Sequence, residues 1–151
     1  MEWVEEVIGH IVGLDTAPLI YYVEAHPTYL PVVDPFFTML ERGEVHGITS
    51  IVTLIETTIR PMRNGNADLV ARYEDLLLDT ANIDTIDLLA PIAQEAARLR
   101  ANYNLRTPDA IQLATAVHAG AATFLTNDER LAVVPDLNVL VLDALRPESG
   151  G

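Results

Sequence analysis

Short apolar runs alternate with amphipathic stretches along most of the chain. The apolar runs predict buried β-strands at residues 10–15, 45–50, 122–126 and 139–142, and a weaker alternation predicts another strand at 82–88. Apolar residues three and four positions apart predict helices at 18–24, 29–42, 52–60, 68–79, 91–103 and 108–119, with a short helical turn at 128–133. Because nearly all-apolar strands alternate with helices, the pattern predicts an α/β fold with a central, mostly parallel sheet covered by helices on both faces.

The chain length favours a single domain. A chain of 151 residues is long enough to bury a hydrophobic core. We expect the domain to span residues 11–145, with an N-terminal extension at 1–10 and a C-terminal tail at 146–151. The sequence has no run of about 18 apolar residues and no basic region typical of a secretory signal at its start, so we expect a cytoplasmic protein without a membrane segment.

The composition excludes several classes of chemistry. The chain contains no Cys and no Lys, which excludes thiolate metal sites, cysteine nucleophiles, Schiff-base catalysis and the P-loop. Its histidines do not follow a zinc-binding spacing, and neither serine lies in a nucleophile elbow. The excess of 22 acidic over 9 basic residues gives a net charge of −13, which by itself predicts repulsion from nucleic acids. The chemistry that remains depends on carboxylates, hydroxyls, arginines and bound ions.

Four acidic residues lie at places where the predicted elements converge. Asp15 and Asp128 follow the predicted strands at 10–15 and 122–126, at the carboxyl edge of a parallel sheet where ligands commonly bind. Glu56 and Asp109 lie on predicted helices, one turn away from apolar residues. We therefore expect the two helical carboxylates to point inward, toward the strand ends that carry the other two.

Each of these acids also has a purely structural explanation. Asp15 and Asp128 could cap the helices that follow them. Asp109 could interact with the positive end of a helix that has Thr107 as its N-cap and Pro108 as its first residue. Glu56 could pair with Arg60 or extend into solvent.

If the four carboxylates converge, they need a counter-charge. Without one they would repel each other, and their pKa values would rise until some were protonated. Oxygen ligands without Cys or His favour Mg²⁺ or Mn²⁺. Such an ion would promote hydrolysis at phosphorus, because it activates a water molecule and neutralises charge on the leaving oxygen.

The motifs around these acids resemble those of the PIN domain family, and most closely the VapC-type toxin ribonucleases. The resemblance is carried by Leu14-Asp15-Thr16, by Glu56 in the helix after the second strand, and by two longer segments, Thr-Pro-Asp-Ala-Ile-Gln-Leu-Ala-Thr-Ala at 107–116 and Leu-Thr-Asn-Asp-Glu-Arg-Leu at 125–131. These segments occur in the family's order between about residues 11 and 142. The chain departs from the family at Ala17-Pro18, where members usually have Asn or Ser after the Asp-Thr pair.

The resemblance implies a function and a set of site residues. Asp15, Glu56, Asp109 and Asp128 would be the acidic quartet that binds Mg²⁺ or Mn²⁺, and Thr126 and Asn127 would orient the ligands or water. The activity would be that of an endoribonuclease that cuts single-stranded regions of structured RNA and leaves a 5′-phosphate and a 3′-hydroxyl. The protein would be the toxin of a type II toxin–antitoxin pair, a homodimer inhibited by a small antitoxin with a basic segment.

Substrate-binding residues are less well defined by the sequence. Arginines that follow the motif acids could contact RNA phosphates or could simply balance surface charge; they are Arg60, Arg63, Arg106 and Arg130. Tyr21, Tyr22 and Tyr103 could stack on bases, but for Tyr21 or Tyr22 we rather expect packing in the core or at a subunit contact. We expect His118 to be structural, because it shares its helix with apolar residues.

Three other functions are compatible with parts of the sequence. A housekeeping RNA-processing nuclease would use the same quartet, and an inactive PIN-like module would bind without cleaving. The intact acids argue against the inactive module. A phosphatase of the haloacid dehalogenase kind would need a second Asp at position 17 and generally a Lys, whereas the chain has Ala17 and no Lys.

Overall fold

The structure is a computed structural model that describes residues 2–147. Its five strands are β1 (Ile11–Leu14), β2 (His46–Ser50), β3 (Ile83–Ile86), β4 (Thr123–Thr126) and β5 (Asn138–Val141). Its seven α-helices are α1 (Glu2–Glu6), α2 (Thr16–Val23), α3 (Leu30–Glu41), α4 (Val52–Arg63), α5 (Ala67–Leu78), α6 (Ala90–Asn102) and α7 (Thr107–His118). Two 3₁₀ helices, Glu129–Val133 and Leu142–Leu145, flank β5. Most of the predicted tail, residues 148–151, lies outside the described residues.

The strands form one parallel sheet in the order β3-β2-β1-β4-β5. The central strand is β1, in which Val12 pairs with Gly47 of β2 on one side and with Thr123 of β4 on the other. The chain therefore builds outward from β1 in one direction and later crosses to its other side. In such sheets the carboxyl ends of the two strands at this reversal diverge and leave a crevice. The predicted α/β fold is confirmed.

Helices cover both faces of the sheet, so β1, β2 and β4 are buried at nearly every position. Only β1 is also apolar throughout, whereas β2 and β4 bury threonine or serine as well. Successive residues of a strand point to opposite faces, so that Leu125 lies in one core cluster and Phe124 in the other. The largest buried residues of the first cluster include Leu14, Leu19, Phe36, Phe37, Leu40, Leu77 and Leu125. Those of the second cluster include Ile92, Leu99, Leu113, Phe124, Leu131 and Val134.

Gly13 allows α7 to pack closely on the central strand. A Cβ atom at this position would lie 2.7 Å from the Cβ of Ala116 and 2.8 Å from the Cδ2 of Phe124. Both distances are shorter than van der Waals contact, so only a glycine fits here without displacement of the helix or the ring. This close packing brings the first turn of α7 to the carboxyl end of β1.

The N-terminal segment contributes to the core, which the sequence analysis did not predict. Residues 2–6 form α1, and Trp3, Val4 and Val7 are buried in the same cluster as Leu14 and Phe36. Trp3 stacks on Phe36 with the ring centroids 6.0 Å apart. The spacing of Trp3 and Val7, four residues apart, was the available sequence signal.

Helix α4 differs from the prediction in length and orientation. It continues through Pro61 to Arg63, because a proline removes one intrahelical hydrogen bond without necessarily ending a helix that is already formed. Its buried residues are Thr53, Thr57, Thr58 and Pro61, whereas its large apolar residues Ile55, Ile59 and Met62 are exposed. The apolar stripe of this helix therefore does not mark its core-facing side.

Within residues 2–147, every helix is too short or too polar to cross a lipid bilayer.

Candidate functional site

The candidate site lies at the carboxyl ends of β1 and β4, where the sheet reverses direction. Asp15 directly follows β1 and is the N-cap of α2: its Oδ1 accepts a hydrogen bond of 2.8 Å from the backbone N–H of Thr16. Its Oδ2 accepts a bond of 2.7 Å from the hydroxyl of Thr126, the last residue of β4. The capping role of Asp15 does not exclude a role as a ligand, because these two hydrogen bonds use only part of the acceptor capacity of the carboxylate.

Thr126 and Asn127 connect the strand end to its surroundings in different ways. The Thr126 hydroxyl donates to Asp15 and accepts from the backbone N–H of Asp128 at 3.0 Å, so it links two of the acids directly. The Asn127 Nδ2 donates to the Tyr21 hydroxyl at 3.0 Å, and its Oδ1 accepts from the backbone N–H of Asp143 at 3.0 Å. Asn127 thus connects Tyr21, which lines the site, to the backbone of Asp143. Thr126 connects Asp15 to the backbone of Asp128.

The two helices bring the other acids to the same place. Asp15, Glu56, Asp109 and Asp128 all line one cavity of about 290 Å³, together with Tyr21, Arg106 and Asn127. Asp109 lies in the first turn of α7, and its side chain is only 13% exposed. The N-cap position of α7 is Arg106 rather than the predicted Thr107, whose hydroxyl instead accepts a hydrogen bond from Arg100 at 2.8 Å.

Glu56 reaches the cavity from an exposed position. The expected apolar face beside it is only partly formed, because its neighbour Ile59 is exposed whereas Val52 is partly buried against the second core cluster. The alternative of a pair with Arg60 is not formed either: Glu56 has no ion pair within the described part of the chain. Glu56 also lines a larger groove of about 750 Å³ between α2 and α4, which contains Arg60 and Arg63. Those two arginines therefore lie beside the acidic cavity rather than in it.

Arg106 and Arg130 contact the acids directly. The Arg106 Nε is 3.1 Å from the Asp109 Oδ2. Arg130 forms a two-pronged pair with Asp128, with its Nε 2.9 Å from Oδ1 and its Nη2 2.7 Å from Oδ2. Both guanidinium groups are largely exposed, so each can leave its carboxylate at little cost.

The electrostatics of the acids are unequal. Burial raises the pKa of Asp15, and the charges of Asp109 and Asp128 raise it further, although hydrogen bonds from Thr126 and Thr16 oppose the shift. Burial and then the charges of Asp15 and Asp109 raise the pKa of Glu56. The hydrogen bonds from Arg130 hold the pKa of Asp128 below its ordinary value. Two of the four acids are therefore destabilised as anions, in part by their neighbours.

This arrangement fits a hard divalent cation in its donor set and its charge. Four carboxylates on one small cavity offer only oxygen ligands, and burial, with a smaller contribution from neighbouring carboxylates, raises the pKa of Asp15 and Glu56. A bound cation would counteract both effects. Within residues 2–147, however, no three acidic or histidine side chains form a ready coordination group. Asp109 and Asp128 are instead engaged by arginines, so a cation would have to replace Arg106 and Arg130.

Buried polar residues behind the cavity were not predicted as a group. They are Thr49, Thr53 and Gln112, which form hydrogen bonds with one another. The available signal was their spacing: Thr53 precedes Glu56 by one helical turn, and Gln112 follows Asp109 by one turn.

The sequence matches the family model of the PIN domain over residues 12–137. The match covers most of the chain, so the protein belongs to the PIN domain family, and the resemblance seen in its motifs is confirmed. No curated protein sequence matches it significantly.

Several solved structures of toxins and of toxin–antitoxin complexes share the fold. VapBC2 from Rickettsia felis, solved with a DNA fragment from its promoter, is 17% identical with a TM-score of 0.68, over 87% of this chain and 98% of that one. VapC20 of Mycobacterium tuberculosis, a toxin that cleaves the sarcin-ricin loop, is 14% identical with a TM-score of 0.68, over 91% and 99% of the two chains. A toxin–antitoxin complex from Klebsiella pneumoniae is 21% identical with a TM-score of 0.63, over 89% and 98%.

Proposed function

We propose that this protein is a metal-dependent endoribonuclease and the toxin of a type II toxin–antitoxin pair. The observation that supports this best is the meeting of four carboxylates, from β1, α4, α7 and the residues after β4, in one cavity at the reversal of the sheet. Membership of the PIN domain family and a fold shared with VapC-type toxins support the same function.

Asp15, Glu56, Asp109 and Asp128 would hold Mg²⁺ or Mn²⁺. When bound, the ion would supply positive charge for the scissile phosphate and activate the attacking water for hydrolysis to a 5′-phosphate and a 3′-hydroxyl. Thr126 keeps Asp15 oriented through its hydroxyl, and Asn127 holds the adjacent wall through Tyr21. These two residues support the ligands without needing to contact the ion.

Arg106 and Arg130 would bind the phosphates of the RNA. Arg106 lines the acidic cavity, and Arg130 lines the neighbouring groove that shares Asp128 with it. Both side chains are largely exposed and are paired with acids that a cation would engage. Once a cation has replaced them at Asp109 and Asp128, both guanidinium groups can pair with phosphate oxygens. Arg60 lies farther along the groove beside Glu56 and would contact a more distant part of a structured RNA.

Two protein partners belong to the proposal. An antitoxin with a basic segment would be attracted by the acidic cavity and by the net charge of −13. A second copy of the chain would form a homodimer, for which the exposed apolar residues of α4, Ile55, Ile59 and Met62, supply apolar contact area.

The proposal is tested by RNA cleavage with Mn²⁺ or Mg²⁺, using structured RNAs with single-stranded loops and analysis of the new ends. We expect Asp15→Asn to lower the single-turnover rate by at least about a hundredfold, because it removes a charge that the ion requires. Asp136→Asn is the matched control, since Asp136 is exposed and precedes β5, at the opposite edge of the sheet. Equal rates for the unchanged protein and Asp15→Asn, or cleavage that survives chelation of the metal, would contradict the nuclease assignment. RNA binding without cleavage by any of the proteins would instead indicate an inactive module.

A further inference from the structure

Three neutral polar side chains are buried directly behind the acidic cavity. Thr49 on β2 is 1% exposed, Thr53 on α4 is 0% exposed, and Gln112 on α7 is 2% exposed. Burial of polar groups is unfavourable unless they form hydrogen bonds with one another or with the backbone. A core built only for stability would more simply place apolar residues at these positions, so the group calls for an explanation.

The three side chains form a chain of hydrogen bonds that runs in one direction. The Gln112 Nε2 donates to the Thr53 Oγ1 at 2.5 Å, the Thr53 and Thr49 hydroxyls are 2.8 Å apart, and the Thr49 Oγ1 donates to the Leu14 carbonyl oxygen at 2.9 Å. An amide nitrogen can only donate and a carbonyl oxygen can only accept. The Thr49 hydroxyl lies 2.9 Å from the Leu14 carbonyl oxygen but 3.5 Å from the Gln112 Oε1, so the shorter bond to Leu14 takes its proton and Thr53 donates to Thr49. The protons of the whole chain are thereby ordered from α7 to β1.

The two ends of this chain lie next to acids of the candidate site. It ends on the carbonyl of Leu14, in the peptide bond that precedes Asp15. It begins at Gln112, one helical turn after Asp109, and passes through Thr53, one turn before Glu56. The first hydrogen bond joins α7 to α4, the second joins α4 to β2, and the third joins β2 to β1. The elements that carry or precede the three acids are thereby connected.

Further contacts attach the chain to the surrounding backbone. The Gln112 Oε1 accepts from the backbone N–H of Ser50 at 3.3 Å, which ties the end of β2 to α7. The Thr16 hydroxyl lies 3.5 Å from the Thr53 Oγ1, at the first residue of α2. The amide of Gln112 thus uses its oxygen and its nitrogen on different elements.

We propose that Gln112, Thr53 and Thr49 are positioning residues that set the spacing of Asp15, Glu56 and Asp109 for a divalent cation. Like charges on three elements push those elements apart, whereas the buried chain of neutral hydrogen bonds holds α4 and α7 against the end of β1. Apolar packing could hold the same elements together but would leave their rotation and translation less defined, since only hydrogen bonds are directional. This inference rests on the proposed function.

The first test compares two replacements of Thr53 that remove different parts of its side chain. Thr53→Val keeps the shape and removes the hydroxyl, and Thr53→Ser keeps the hydroxyl and removes the methyl group. We expect Thr53→Val to weaken Mn²⁺ binding, measured by calorimetry or electron paramagnetic resonance, by about tenfold or more, and Thr53→Ser to change it by no more than about twofold. Without metal, both variants should have a lower free energy of unfolding than the unchanged protein. If Thr53 only stabilised the fold, both variants would therefore lose Mn²⁺ affinity.

Thr57→Val is the matched control on the same helix. Thr57 is also buried, but its hydroxyl bonds only to carbonyls of α4 itself, those of Thr53 and Leu54. We expect this variant to bind Mn²⁺ like the unchanged protein. Mn²⁺ affinity that is retained in Thr53→Val, or lost equally in Thr53→Val and Thr53→Ser, would overturn the positioning role.

Gln112→Met gives a second test that does not depend on the folding of Thr53→Val. Methionine has a similar length and no hydrogen-bonding amide, and Thr115→Val on α7 is its control because the Thr115 hydroxyl bonds only to the Ile111 carbonyl of the same helix. We expect Gln112→Met to lose about tenfold or more in Mn²⁺ affinity and in kcat, with little change in KM for RNA. Unchanged Mn²⁺ affinity in Gln112→Met would overturn the proposal.

The unchanged protein is titrated with Mn²⁺ before its variants. If it binds no Mn²⁺, the proposed function and the positioning role are both overturned. If it binds Mn²⁺ and the variants bind equally well, only the positioning role is overturned.

Discussion

Asp15 shows how one carboxylate serves both folding and the candidate site. One oxygen caps α2 and the other accepts the Thr126 hydroxyl, so the group is held by bonds from two elements. Burial nevertheless raises its pKa, which means that these bonds do not fully replace the water that was lost. No residue between positions 2 and 147 donates such a hydrogen bond to Glu56 to offset its burial, and its pKa is raised as well.

The raised pKa of Glu56 predicts how stability depends on pH in the absence of metal. A carboxyl whose pKa is higher in the folded protein binds its proton more tightly there, so its contribution to stability is lost as the pH rises above its ordinary value of 4.5. Removing the charge with Glu56→Gln should reduce this loss of stability. It should also remove the repulsion between the Glu56 and Asp15 carboxylates. We expect a shallower fall in the free energy of unfolding between about pH 4.5 and 7, with a gain at pH 7 of about 0.5 kcal/mol or less because the side chain is solvent-screened.

Urea unfolding of the metal-free protein at several pH values checks this expectation. The control is Asp136→Asn, which removes a carboxylate at the other edge of the sheet. A pH profile of Glu56→Gln that coincides with that of the unchanged protein would show that Glu56 does not interact with the other acids. Asp128, whose pKa is lowered by Arg130, acts in the opposite sense and loses its stabilising pair as the pH falls.

At the level of elements, the site depends on how closely α7 approaches β1. Gly13 makes this possible, since a methyl group there would meet Ala116 and Phe124 at less than 3 Å. We expect Gly13→Ala to lower the free energy of unfolding by about 2 kcal/mol, because Ala116 cannot move without the helix. The shift of α7 should also weaken Mn²⁺ binding, since Asp109 and Gln112 would move with it.

Gly47→Ala is the comparison for this prediction. A Cβ at Gly47 would lie 3.1 Å from the Cδ1 atoms of Leu14 and Leu40, which are flexible ends of side chains. We expect a smaller loss, about 1 kcal/mol or less, measured by the same chemical unfolding. If both variants lost the same stability, the close approach of α7 would not be the cause.

The elements that the sequence predicts well are those with unambiguous periodicity. The strands around Asp15 and Asp128 and the helices α6 and α7 lie close to their predicted positions, because short apolar runs between turn residues favour strands and three-to-four spacing over more than ten residues favours helices. Helix α4 was misjudged because its buried face consists of threonines that bond to their own helix and to Gln112. Periodicity of apolar residues cannot reveal such a face, and of the two apolar neighbours that placed Glu56 beside the core only Val52 packs there.

The candidate site was more predictable than its surroundings. The four acids could be placed together from strand ends and family motifs, whereas their partners could not. The pairs of Arg106 with Asp109 and of Arg130 with Asp128 depend on side-chain positions that spacing alone does not define. The chain from Gln112 to Leu14 connects residues far apart in sequence, so no local pattern indicates it.

At the level of the whole molecule, a net charge of −13 would limit how the proposed RNA substrate can bind. Few cations are available, and two of those near the site are paired with acids. We expect Arg106→Gln to leave Mn²⁺ affinity without RNA unchanged or tighter, since Asp109 loses a competing cation. The same variant should raise KM for RNA and make the dependence of log(kcat/KM) on log salt shallower by about 0.7, the value for one phosphate contact on a single strand.

Cleavage kinetics at several salt concentrations and a Mn²⁺ titration check both parts. Arg98→Gln is the control, because Arg98 is exposed and pairs with Glu95 on α6. Weaker Mn²⁺ binding in Arg106→Gln would show that Arg106 supports the metal site rather than competing with it. An unchanged salt dependence would exclude Arg106 as a phosphate contact.

The order of the strands also has a consequence for synthesis of the protein. Asp15 leaves the ribosome early, but its hydrogen-bond partner Thr126 is 111 residues further along, and β1 cannot acquire its second neighbour before β4 has emerged. Such distant pairing forms late in folding. A nascent chain that ends before Asp128 therefore has no acidic cavity, and the proposed nuclease stays inert toward the ribosome and messenger that are producing it.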